Sequence, residues 1–305
     1  MNRVFATGVL ILAVAGVASC TKAGAQTPAA QHPVAAASVS PPAVTASPTV
    51  SNLNDASLPL DRYTTTVDEW IELDYASKLL SYDCMKRFGY TLNPGGRLKL
   101  TEFRDRSNRM GLVDEAQAAR AGYHVDPATA GDRSSHDTGP KLTDEQEVAM
   151  SGERNGKPAT DVPAGGCAGE GYRKIGWNTT DDMWLQELDN EAASRTLADK
   201  NALKVMADWS ACMQKSGYRY AKPDDASQDP RWWKGSDDDP ATKAEKNTAV
   251  ADVRCKKKVN WVGQMTAILT AYQQQLVETN LERLESVHGQ VQDALKKAAA
   301  VLSGR

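Results

Sequence analysis

A seven-residue pattern, Cys-Met-x-x-x-Gly-Tyr, occurs twice in this chain, as CMKRFGY at Cys84–Tyr90 and CMQKSGY at Cys212–Tyr218. An apolar periodicity leads into each copy. Trp70, Leu73, Ala76 or Ser77, Leu80 and Cys84 precede the first stop at spacings of three or four. Trp184, Leu188, Leu197, Leu203, Met206, Trp209 or Ser210 and Met213 do the same over a longer run before the second. Such spacing marks an amphipathic helix with one buried face. A glycine just past a helix takes the left-handed conformation easily, and the next residue then packs back on the last turn. With Gly89 and Gly217 in that role, Tyr90 falls against Met85 and Tyr218 against Met213. Lys86, Arg87 and Lys215 sit in the last turns, where the helix dipole favours cations. The motif therefore reads as a helix stop with a cysteine one turn before it, not as a reactive site.

Two half-units follow, residues 61–176 and 177–305, each a helix, a stop, an excursion and a returning cysteine. The first excursion holds a short helix from Asp114 to Ala121 ended by Gly122. It also holds Thr143 and Gln146 at capping-box spacing, and Gly165–Gly166, which suit a tight turn before Cys167. The second is RYAKPDDASQDPRWWKGSDDDP, with Asp239 as N-cap and Pro240 as first residue of a helix that returns Cys255. From about Asn260 a long helix is expected. Its stripe is Val262, Met265, Leu269, Tyr272, Leu276, Leu284, Val287, Val291, Leu295, Ala298 and Leu302, interrupted by Asn280. That helix is read as packed on its own domain, with its end beyond Leu284 free to project; the alternative is a coiled-coil arm for self-association. The fold class expected is mainly α: a disulfide-stapled helical ectodomain with a long C-terminal amphipathic helix, preceded by a disordered tether.

The N-terminus, MNRVFATGVLILAVAGVASC, has one early cation (Arg3) and an apolar run from Val4 to Ala18. It is too short for a comfortable membrane span and has the layout of a secretory signal at residues 1–19. Its ending, VASC, looks like a bacterial lipobox, which would make Cys20 the site of lipidation; an ordinary cleaved signal with a chance cysteine is the alternative. A diacyl group gives stable membrane residence where one chain does not. Residues 20–60 are rich in Ala, Pro, Ser, Thr and Val and nearly free of charge, so they read as a disordered tether. Extended as polyproline II it would reach on the order of 100 Å.

Five cysteines are present. With Cys20 assigned to lipid, Cys84, Cys167, Cys212 and Cys255 remain, in a compartment that permits disulfides. Three pairings are open; the repeat suggests Cys84 with Cys167 and Cys212 with Cys255. A zinc site would normally need closely spaced cysteines, and there is no CxxC. Net charge is only −3 without a basic stripe, which argues against nucleic acid. The one basic run, Lys256–Lys258, reads as a solvated helix face.

No nucleophile elbow, Walker loop, HExxH or dinucleotide fingerprint is present, so no catalytic residue, cofactor or metal is expected. GGCAGEG at Gly165–Gly171 lacks the strand before it and the Lys-Ser/Thr after it that a phosphate loop needs. Cys167 as a nucleophile would need His124 or His136; a disulfide uses the same thiol. His136–Asp137 lacks a serine context, and His288 reads as solvated. Asp224, Asp225, Asp229, Asp237 and Asp239 do not have EF-hand spacing. The candidate contact surface is DPRWWKGSDDDP, where adjacent Trp232 and Trp233 cannot readily enter one core together. Exposed aromatics of that kind mark sites for proteins or sugars; alternatively one Trp pins the loop and the other stays half exposed.

The repeated motif, VPAGGC and ADVRCKKKVNWVGQMTAILTAYQQQLVETNLERL together resemble a family of secreted or lipid-anchored actinobacterial proteins of unknown function, from about Asp61 onward. The resemblance implies a helical extracytoplasmic protein with paired cysteines and brings no activity with it. The function expected is a membrane-anchored extracytoplasmic lipoprotein with a non-enzymatic binding or accessory role at the cell envelope, such as modulating a transporter or sensor. The alternatives are an envelope enzyme acting on wall polymer and a self-associating structural spacer. Partners expected are the membrane, through the lipid, and an envelope protein or wall polymer.

Overall fold

A computed structural model describes residues 41–44, 47–98, 107–126, 140–235 and 239–304. The expected signal peptide, Cys20 and the first half of the expected tether lie outside the described residues. The described residues belong to one contact unit, 41–305, built from helices.

Folded structure begins earlier than residue 61. Two 3-10 turns, Leu53–Asp55 and Pro59–Tyr63, are closed by Asn52 and Asp61: Asn54 N donates to Asn52 Oδ1 at 2.9 Å and Leu58 N to Asp61 Oδ2 at 2.8 Å. Between them they bury Leu53, Leu58, Leu60 and Tyr63. The second part of the expected tether is thus a strap docked on the core, because four large side chains lie within eleven residues there and none lies in the Ala/Pro/Ser run before them.

Helix α1, Val67–Arg87, starts at a capping box of Thr66 and Glu69. It ends as the motif predicts: Gly89 has φ +82, Gly89 N donates to Lys86 O at 3.0 Å and Tyr90 N to Met85 O at 3.1 Å. Those are the two bonds of a Schellman ending. Helix α2, Glu115–Ala121, is capped by Asp114, and α3, Asp144–Ser151, by the Thr143–Gln146 box. A two-residue hairpin pairs β1, Glu153–Arg154, with β2, Lys157–Pro158, turning through Asn155 and Gly156, both at positive φ. Helix α4, Gly166–Ile175, brings Cys167 to Cys84, Cα atoms 5.4 Å apart.

The single long helix expected before the second stop is two. Helix α5, Thr179–Ala198, and α6, Lys200–Lys215, meet at Asp199, which leaves helical geometry and caps α6 by accepting from Asn201 N at 2.7 Å. Its other oxygen accepts from the Tyr272 hydroxyl at 3.0 Å, which fixes the corner. Leu197 and Leu203, expected in the buried stripe, flank this corner and are exposed, since the break rotates them off the core face. Helix α6 stops as α1 does: Gly217 has φ +88, Gly217 N donates to Gln214 O and Tyr218 N to Met213 O. After the short α7, Pro223–Ser227, helix α8, Lys243–Lys258, carries Cys255 to Cys212, Cα atoms 5.6 Å apart. Its cap is Thr242, not Asp239, with Glu245 N donating to Thr242 Oγ1 at 3.2 Å.

Helix α9, Trp261–Ser303, is the spine, with non-helical geometry at Asn280. Its first half packs Trp261, Met265, Ile268, Leu269, Tyr272 and Leu276 into a core shared with α5, α6 and the strap. Its second half packs Val291, Ala294 and Ala298 against Leu73 and Ala76 of α1 and against Ile175 and Trp177. The end beyond Leu284 therefore does not project as a free arm: its apolar face is covered by α1 and α4. No helix among the described residues is long and apolar enough to cross a membrane.

Candidate functional site

The tryptophan pair belongs to the loop after the second stop. Both indoles turn back onto the C-terminal end of α7, whose last carbonyls lack helical partners. Trp232 Nε1 donates to Ala226 O at 2.8 Å and Trp233 Nε1 to Ser227 O at 3.0 Å. The two rings then part. Trp232 is 8% exposed, with the Arg231 guanidinium 4.8 Å above it, so it is a core anchor and leaves the expected contact surface. Trp233 is 41% exposed, and one face rests on His124, ring centroids 4.5 Å apart and planes 28° from parallel. Of the pair, only Trp233 presents surface.

The acidic residues around it have separate tasks. Asp229 accepts from the Arg231 guanidinium at 2.7 Å and the Tyr220 hydroxyl at 2.9 Å. Arg231 above all holds that carboxyl well below the usual range. Asp224 and Asp225, on the outer side of α7, line a shallow surface depression with Lys222, Gln228, Asp229 and Pro230. Asp237 lies outside the described residues, and among those described no three metal-ligating side chains converge.

Beneath Trp233 runs a buried polar seam that the sequence reading missed. Glu245, Asp252 and Lys256 form one stripe of α8 and are 0%, 0% and 3% exposed. Glu245 Oε1 accepts from Tyr123 N at 2.8 Å and pairs with His124 Nδ1 at 2.8 Å; Glu245 Oε2 has no hydrogen-bond partner. Asp252 accepts from Trp209 Nε1 at 2.9 Å, Lys256 Nζ at 3.1 Å and the Tyr123 hydroxyl at 3.4 Å. Lys256 Nζ also donates to Leu112 O at 2.9 Å. Burial pushes the Tyr123 phenol up, with the Asp252 charge adding to it. Burial also pushes the Asp252 carboxyl up, against the pull of Lys256. These bonds fasten residues 112–124 to α8. Lys256 is accordingly a buried partner and not part of a solvated face. Its signal in the sequence is the Asp252–Lys256 spacing of four, which a surface ion pair shares.

The remaining candidates are placed apart. Cys167 is bonded to Cys84 within a small core with Met85 and Ala149, while His124 is engaged with Glu245. His136 lies outside the described residues, and His288 meets the Tyr63 ring edge to face at 6.3 Å. The Gly165–Gly171 run serves close packing: a Cβ on Gly166 would strike Met150 O and Gly152 N, and one on Gly171 would strike Ser77 O and Ser81 Oγ. Tyr90 packs beside Met85 in the small core around the first bridge, and Tyr218 beside Met213 in the main core. No family model, no curated protein and no solved structure matches this chain.

Proposed function

We propose that this chain is a lipid-anchored protein of the extracytoplasmic side of the membrane, anchored through Cys20, with a non-enzymatic binding or accessory role at the envelope. The observation that carries the reading is the pairing of every cysteine after Cys20: Cys84 with Cys167 and Cys212 with Cys255. Disulfides of this kind persist in oxidising compartments and are rare in the cytosol. The resemblance to a secreted or lipid-anchored actinobacterial family, and the lipobox-like VASC that ends at Cys20, point the same way. Folded structure reaches back to Leu53, so fewer residues separate Cys20 from the folded body than the span 20–60 that composition suggests. The exposed, fixed Trp233 is the contact residue for a partner at that surface.

The test is fractionation and acyl labelling of wild type and Cys20→Ser in intact cells. Wild type should carry label and sediment with membranes; Cys20→Ser should lose the label and appear soluble or unprocessed. Equal labelling of the two would refute the anchor.

A further inference from the structure

We propose that the corner between α5 and α6 is a bilayer-docking tip: Leu197 and Leu203 enter the boundary between headgroups and acyl chains, and Lys200 meets the phosphates beside them. The proposal deepens the anchored reading above and rests on it. The corner is one residue long. Helix α5 ends at Ala198, Asp199 is extended at φ −69 and ψ 140, and α6 begins at Lys200. Thr196, Asp199 and Ala202 are buried, so every third residue holds the corner to the core. The residues between them form its outer side. Leu197 is 52% and Leu203 53% exposed, and Ala198, Lys200, Asn201 and Lys204 are exposed with them. The two leucines and the lysine thus belong to a single turn of chain, residues 197–203.

Shape, charge and reach choose the occupant. A corner whose inner residues are buried is convex, and a convex apolar tip needs a partner that yields around it. A bilayer interface does so, whereas a protein would have to bring a matching groove. The acids around the tip are all engaged. Asp189 pairs with Arg109, Glu191 with Arg195, and Asp208 with Lys204 at 2.7 Å. Asp199 caps α6 and accepts from Tyr272, and Glu278, the next acid along α9, accepts from Gln274 at 3.0 Å. Lys200 has no ion-pair partner among the described residues, which leaves the tip one free cation and no free acid. That balance suits phosphate headgroups, and a lysine stem lies along apolar surface while its ammonium stays at the headgroup level. Leu53, the first buried residue among those described, stands 33 positions after Cys20. A chain of that length cannot hold the body farther from the lipid than on the order of 110 Å. Confined in this way, the body meets the bilayer at high effective concentration, and a contact too weak to recruit a free protein is enough to orient a tethered one.

The experiment uses the full-length acylated lipoprotein in vesicles of phosphatidylcholine and phosphatidylglycerol that carry a trace of a diazirine phospholipid. After photolysis, the crosslinked residues are located by mass spectrometry. Residues 197–203 should carry several times the label of the rest of the body's surface. Leu197→Ser together with Leu203→Ser should lower that labelling about tenfold. Unfolding temperature should be unchanged, because both side chains are exposed, and so should vesicle retention, because the lipid supplies it. Lys200→Glu should lower the labelling severalfold on the mixed vesicles and little on phosphatidylcholine alone. The proposal is overturned by label spread evenly over the body, by label concentrated on another face, or by corner labelling that the double substitution leaves intact. A dimer in detergent that the same double substitution dissociates would also overturn it, assigning the leucines to a second copy. A wild type that does not stay with the vesicles fails the anchored reading and this proposal together. A retained protein whose corner stays unlabelled removes the docking tip alone.

Discussion

At the scale of single residues, glycine acts here in two physically different ways, and the difference is measurable. Gly89 and Gly217 have φ of +82 and +88, and nothing lies within 4 Å of a Cβ built on either. Substitution there meets only backbone strain, so Gly89→Ala and Gly217→Ala should each cost about 1 kcal/mol in urea unfolding, and valine somewhat more. Gly171 is the opposite case: its Cβ would enter Ser77 O and Ser81 Oγ, so α4 must move off α1. Gly171→Ala should cost roughly 2–3 kcal/mol, and equal losses at all three positions would contradict this division. Lys256 carries a second prediction. Lys256→Met leaves Asp252 buried without its cation, so that it must either stay charged unpaired or take up a proton, which should cost roughly 3–5 kcal/mol. Asp252→Asn in the same chain should recover a large part, and a single-variant loss below about 0.5 kcal/mol would show that the pair is not buried in solution. The helix stops were legible in sequence because a Schellman ending is set by residues within one turn of each other. The Lys256–Asp252 pair was not, because its spacing is also that of a surface pair and its burial depends on residues 112–124, distant in sequence, arriving over it.

At the scale of elements, caps and corners decide where helices begin, and electrostatics holds two of them together. Glu170 of α4 accepts from Arg87, in the last turn of α1, at 2.8 Å and pairs with Lys174 at 2.8 Å. Arg87 chiefly, then Lys174, hold its carboxyl down to about 2, below the 4.5 of a free glutamate. A group depressed in the folded state stabilises it above the unfolded value and loses that contribution as pH falls toward the folded one. Urea midpoints of wild type should therefore drop between about pH 4.5 and 2 more than those of Glu170→Gln. The difference should be small because Arg87 and Lys174 are half exposed. Parallel titrations of the two proteins would contradict the contact. The break at Asp199 was not legible because Asp within an Ala- and Leu-rich run is compatible with a continuous helix. Only the Tyr272 hydroxyl, 73 positions away, makes a corner of it. The strap was hidden by the composition of what precedes it, although Leu53, Leu58, Leu60 and Tyr63 carried the signal.

At the scale of the whole molecule, each disulfide closes its own loop of chain and α9 runs through two cores. The bridges span 83 and 43 positions, and loop entropy assigns roughly 4 kcal/mol to each. Helix α9 buries its first half with α5 and α6 and its second with α1 and α4. Truncation after Leu284 should consequently expose Leu73, Ala76, Ile175 and Trp177, and make α1 and α4 sensitive to protease while the Cys84–Cys167 bridge remains. Unchanged resistance would restore the reading of that segment as a projecting arm. The helical class and the pairing of cysteines were legible because both are written in spacing and repetition. Which layer the end of α9 covers was not, since an amphipathic stripe is the same whether it faces its own chain or another. The exposed half of the tryptophan pair was equally undetermined, because its fate depends on His124 arriving beneath Trp233.

The most direct test of the account is the intact mass of the mature protein extracted from native membranes without reductant. The account predicts a chain beginning at Cys20, heavier by a diacylglyceryl group, that takes up no thiol reagent until it is reduced and then takes up four equivalents, one for each cysteine of the two bridges. A chain that retains residues before Cys20, an unacylated Cys20, or two or more reactive thiols before reduction would contradict it.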